Sequence, residues 1–142
     1  MSNTCNGVVI RPSKVTDAYW LSVECKTYNF KKPTERAGKW LVYLSIDRID
    51  EYWTKIKQAT EEGFLGYSSK VATARPNPLA SSKAKLIVVY TYDWLDEKDV
   101  FRVREALRKL GIEKKISYKS NADTMSGKYK QTTGERIAKY YA

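Results

Sequence analysis

"GKWLVYLS", residues 38–45, and "AKLIVVYTYD", residues 84–93, are two versions of one pattern. Each has a lysine, then a run of apolar and β-branched residues, then a charged segment that ends at glycine. Runs of this length and composition fit buried strands. In the segment after the first, Ile46, Ile49, Trp53, Ile56 and Thr60 fall three or four apart. That is the stripe of an amphipathic helix. Ser45 or Asp47 suits its first turn, and Gly63 suits the left-handed position past its end. After the second run, Val100, Val103, Leu107 and Leu110 repeat the spacing between a capping Asp96 and a closing Gly111.

"FLGYSSKVATA" (64–74) and "IEKKISYK" (112–119) then read as returning strands. Strand, helix, strand occurs twice. The pattern predicts an α+β fold, a mostly antiparallel sheet built from two strand-helix-strand units. Both helices, 46–62 and 96–110, pack on one face, and the opposite face is left to bind something. Outside the repeat, "GVVI" (7–10) is a short strand and "AYWLSVECKTYNF" (18–30) an edge strand or an aromatic-rich loop. Residues 1–36 form the least defined segment, and 128–142 a basic tail in which a short helix runs from Gly134 to Tyr141. The whole of 1–142 is expected to be one domain.

With 42% hydrophobic and 13% aromatic residues, the 142-residue chain has ample material for a single core. Lys plus Arg exceed Asp plus Glu by 26 to 16, a net charge of +10. Such an excess attracts phosphates, nucleic acid or an acidic protein surface, or else coats the surface with solvated lysines. Cys5 and Cys25 are far apart and form no CxxC, which fits a reducing, intracellular setting and leaves a single disulfide open. No signal-like or membrane-length apolar run occurs, so the expected location is cytoplasmic, with no membrane partner. Histidine is absent, which removes imidazole bases, serine and cysteine triads and HExxH zinc sites. No metal and no cofactor are expected. No GxxxxGK[ST] or GxGxxG is present either.

The candidate binding residues are lysines and aromatics. Lys39, Lys70, Lys85 and Lys119 lie in or beside the strands of the repeat, where they are placed to hold a phosphate by charge-assisted hydrogen bonds. The bland alternative is that they snorkel or blunt an edge. Trp20 and Trp94 fall in expected loops and are the stacking candidates, Trp53 belongs to a helix stripe, and Trp40 is core or sheet face. Glu24 is the carboxylate available beside a stacked base. The polar stretch "YKSNADTMSGKYK" (118–130) adds Tyr118 as a ligand contact. The leading function is a binding domain for a phosphate-bearing ligand: RNA, nucleotide or phosphopeptide. The alternatives are a cofactor-free phospholyase, with Lys70 as base and Lys39 and Lys119 as anchors, and a basic module for an acidic protein partner.

"GKWLVYLSIDRIDEYWTKIKQATEEGFLGYSSKV", "VVYTYDWLDEKDVFRVREALRKLGI" and "YKSNADT" resemble the basophilic-leukaemia-expressed protein family, roughly over residues 36–130. That resemblance implies the fold of the cap-binding translation initiation factors, a curved antiparallel sheet backed by helices. A more distant likeness is to the bacterial effector phosphothreonine lyases, which eliminate phosphate without a cofactor. It implies that Lys39 matches their first strand lysine, Lys70 their base, and Lys119 the phosphate-holding region. Leu41 stands where those enzymes carry a histidine, the expected proton donor.

Overall fold

The computed structural model describes residues 4–5, 8–27, 30–76, 84–122 and 138–142. Strands β1 (Thr4–Cys5) and β2 (Val8–Val9) pair with each other, and a 3-10 turn follows at Pro12–Lys14. The main body then runs β3 (Trp20–Glu24), β4 (Gly38–Leu44), α1 (Ile46–Glu61), β5 (Ser68–Ala72), β6 (Lys85–Thr91), α2 (Glu97–Lys109), β7 (Ser117–Ser120) and β8 (Tyr140–Tyr141). Six of these strands form one curved sheet in the order β3-β5-β6-β4-β7-β8, every neighbour antiparallel.

The two predicted units interleave. Strand β6 lies between β4 and β5, and β4 lies between β6 and β7. Each helix therefore connects two parallel strands separated by a strand of the other unit. Neither unit has a complete sheet without its counterpart, so the repeat folds as one body.

Strand parity divides the residues into two faces. Toward the helices point Trp40 and Val42 of β4, Ile87 and Val89 of β6, Val71 of β5, Val23 of β3 and Tyr118 of β7. These join Ile49, Trp53, Ile56, Val100, Val103 and Leu107 in one buried cluster. The stripes read from the sequence bury as expected, except that Ile46 is exposed and Leu110 only partly covered. Trp40 is core: its Nε1 donates to the Val100 carbonyl at 3.0 Å, which pins the central strand to α2. Gly63 and Gly111 take φ of +88° and +106°, the left-handed conformation that ends each helix.

Three boundaries differ from the expectation. Strand β5 is shorter than 64–74, because Phe64–Leu65 complete the turn after α1, where the Phe64 amide bonds back to Ala59. Strand β7 starts only at Ser117, because the carbonyls of Ile112 and Lys114 are held by Arg104 of α2. In place of the end of a terminal helix, Tyr140–Tyr141 form β8 along β7. The rest of that expected helix, from Gly134, lies outside the described residues up to Ile137.

Candidate functional site

The helix-free face is read directly from the ladder. Lys39 pairs with Tyr90 on one side and Lys119 on the other. Tyr90 pairs with Ser68, Lys70 with Val88 and Ser22, and Trp20 with Ala72. Residues directly opposite share a face, so Lys39, Lys70, Lys119, Tyr90 and Trp20 all stand on the side away from the helices. Leu41 and Val88 stand there too, yet are only 6% and 2% exposed, an apolar floor between the longer polar chains.

The side chains are tied together. Lys39 Nζ donates to Asn121 Oδ1 at 3.0 Å. Asn121 in turn hydrogen-bonds the phenol of Tyr67, which is raised above its ordinary pKa first by burial and then by the Tyr90 phenol, the Asn121 bond opposing. The Tyr67 and Tyr90 rings lie 5.7 Å apart at 33°. Lys70 Nζ sits 4.3 Å above the Trp20 ring and 6.0 Å from that of Tyr90. The result is a group of ammonium side chains and aromatic rings on one face.

The crowding tells on Lys39. Lys39 is pushed down to about 8 by burial first, then by the charges of Lys70 and of Lys119. Like charges placed opposite in a sheet are destabilising. An anion placed among them would offset both the repulsion and the lost hydration.

Two of the predicted strand residues do not reach this face. Lys85 pairs with Leu44, and so stands on the helix side at the opposite end of the sheet from Lys39. The reason is antiparallel pairing: the opening lysines of two antiparallel strands lie at opposite ends. Tyr118 is buried in the core, its hydroxyl 2.6 Å from Thr91 Oγ1 and its ring edge-on to Trp40 at 5.2 Å. Neighbouring strand residues alternate faces, so Lys119 in the site sends Tyr118 away from it.

Trp94 is engaged elsewhere. It packs partly buried against the core, with Lys139 Nζ 4.2 Å above its ring and its carbonyl accepting from Tyr140 Oη at 2.8 Å. Trp20 opens edge strand β3 rather than lying in a loop. Asn121, Tyr67 and Tyr90 were not singled out from the sequence. Tyr90 was legible there, since it alternates with the apolar Val89 and Ile87 along β6, but Asn121 and Tyr67 come together only through the fold. Glu24 lies on the same face at the far end of β3, opposite Ser68. Residues 123–130 of the predicted polar loop lie outside the described residues.

A cavity of about 270 Å³ opens lower on β4, beside Arg48, Lys114 and Tyr141, and none of the three lysines lines it. Among the described residues no cluster of histidine, cysteine or carboxylate side chains is arranged to hold a metal ion. Also among them, no helix is long and apolar enough to cross a membrane.

A curved antiparallel sheet with two helices on one side and a polar, aromatic opposite face defines an α+β domain with the cap-binding initiation factor architecture. The chain is similar to schistosome eIF4E complexed with m7GpppA and 4E-BP. Identity is 15%, the match spans 94% of this chain and 75% of that one, and the TM-score is 0.66. It is also similar to C. elegans eIF4E-3 complexed with the 4E-binding protein Mextli and a cap analog, at 18% identity over 81% of this chain and 65% of that one, TM-score 0.56. Ascaris suum eIF4E-3 with the m2,2,7G cap gives 20% identity, 80% and 64% coverage, and a TM-score of 0.54. At such identities the likeness shows the fold. The chain itself belongs to the family of the basophilic leukemia-expressed protein Bles03, which matches residues 31–126.

Proposed function

We propose that the helix-free face binds a phosphate-bearing nucleotide or the end of an RNA chain. Lys39, Lys70 and Lys119 would contact phosphate, and Trp20 with the Tyr67–Tyr90 pair would offer stacking surfaces to a base. The single observation that carries this reading is the gathering of three lysines on one face, where burial first and then the charges of Lys70 and Lys119 depress Lys39. A lysine coat made only for solubility would spread its charges, not set two of them opposite each other. The solved structures named above hold cap nucleotides, which agrees in ligand class with what this face presents. Asn121 orients Lys39 and Tyr67 at once, so it fixes the middle of the site.

Titration of the protein with nucleoside triphosphates, a methylated cap dinucleotide and a short 5′-triphosphate RNA tests the reading through tryptophan fluorescence. Hydrogen bonds to charged groups contribute about 1.5–3 kcal/mol, so Lys70→Gln or Lys119→Gln should each weaken binding about tenfold or more. Equal binding by the wild type and by a variant with all three lysines changed to glutamine would remove the proposal.

A further inference from the structure

We propose that Lys39 is a nucleophilic amine that condenses with aldehydes carrying a phosphate, with Lys70 and Lys119 holding the phosphate. The inference rests on the anion-binding reading of the same face and adds a reaction to it.

Lys39 is the middle cation of three. Lys119 is its direct partner on β7, at a Cβ separation of about 5 Å. Lys70 stands beyond β6 on the other side. All three are half-buried, and Lys39 is the one that donates to Asn121, at 3.0 Å. Loss of a proton at this position relieves repulsion from both flanks and leaves the two outer ammonium groups charged. A neutral amine that donates an N–H to Asn121 Oδ1 does not use its lone pair in that bond. With Lys39 pushed down to about 8, a fraction on the order of a tenth is neutral at pH 7. An ordinary lysine near 10.4 has less than about a thousandth. Lysines desolvated beside other cations are activated as nucleophiles in this way.

The step balances without any outside reagent. The Lys39 Nζ lone pair attacks the carbonyl carbon, a C–N bond forms, and the carbonyl π electrons move to oxygen. A proton shifts from nitrogen to that oxygen to give a carbinolamine, which loses water to leave the imine. The phosphate, anchored on Lys70 and Lys119, keeps the aldehyde beside the amine and raises its effective concentration.

The probe is pyridoxal 5′-phosphate, with borohydride reduction to fix the imine and peptide mass spectrometry to locate it. At about pH 7.5, Lys39 should label about tenfold or more faster than the median lysine of the chain. Pyridoxal without the phosphate should react about tenfold more slowly there, and inorganic phosphate should protect. Lys119→Gln should slow labelling of Lys39 near neutral pH, with the rate toward pyridoxal recovering at about pH 9.5. A melting curve for this variant verifies that its fold is retained. Label spread evenly over the surface lysines would overturn the inference. Nucleotide binding that still depends on Lys70 and Lys119 would then show that the anion site stands without it. Equal reaction of Lys39 with pyridoxal and its phosphate, unprotected by phosphate, would overturn both.

Discussion

Lys39 shows how one residue can work against the fold that holds it. Its ordinary pKa of 10.5 falls to about 8 on folding, through burial and the charges of Lys70 and Lys119. Below about 8 the ammonium is present in both folded and unfolded chains, and its burial is a full cost. Between about 8 and 10.5 the unfolded chain binds more protons than the folded one, so stability rises with pH through that window. Above it both forms are neutral and the cost is gone. Lys39→Met removes the charge at every pH and also removes the bond to Asn121, a loss that pH hardly alters. The melting temperature of Lys39→Met minus that of the wild type should therefore fall between about pH 8 and about pH 10.5. A difference that stays flat across that range would mean that Lys39 does not titrate early. Strain of this kind, kept at the centre of a sheet, supports the proposed anion site.

Among the elements, α2 controls how far the sheet extends. Arg104 is fully buried on it and donates to three carbonyls: Ile112 at 2.9 Å, Lys114 at 2.7 Å and Ala142 at 2.8 Å. Burial pushes the pKa of its guanidinium down, with Arg108 adding to the effect. Those bonds draw the chain away from β4 until Ser117 and dock the segment that carries β8. Arg104→Met keeps much of the volume but takes the donor from the Ile112 and Lys114 carbonyls and one of two donors from the Ala142 carbonyl, which still accepts from Ile116, at about 1–3 kcal/mol for each acceptor left unpaired. A net loss of about 3 kcal/mol in urea unfolding is expected, with faster amide exchange at Ile116 and Ala142, whose amides bond each other's carbonyls. None of this was legible in the sequence, where Arg104 looks like one more surface charge on a basic helix. The helices were legible, because the stripe of Ile49, Trp53 and Ile56 and that of Val100, Val103 and Leu107 depend only on local period. Lys39, Lys70 and Lys119 were legible only together with Lys85, as lysines of the repeated strands. The exclusion of Lys85 and Tyr118 needed the register. It turns on which strands are antiparallel neighbours, and long-range pairing sets that rather than any window of residues.

For the whole molecule, the proposed binding of a polyanion has two candidate sources, the net charge of +10 and the organised face. Salt separates the two. For single strands, the logarithm of the binding constant falls with the logarithm of salt by about 0.7 for each phosphate neutralised. Three lysines acting on three phosphates give a slope near −2, so affinity drops about twentyfold between 50 and 200 mM salt. A diffuse coat that engages most of the excess charge would give a slope nearer −7. The organised face further predicts that each change of Lys39, Lys70 or Lys119 to glutamine flattens the slope by about 0.7, while Lys85→Gln leaves it unchanged. Lys85 is the apt control, since it carries the same charge in the same repeat but lies on the opposite side of the sheet. If Lys85→Gln moved the slope as much as Lys119→Gln, position in the fold would count for nothing and the long-range field alone would account for binding. The antiparallel interleaving of the two units argues otherwise. It turns a lysine repeated in sequence into two chemically different positions, one crowded among cations and aromatic rings and one behind the sheet.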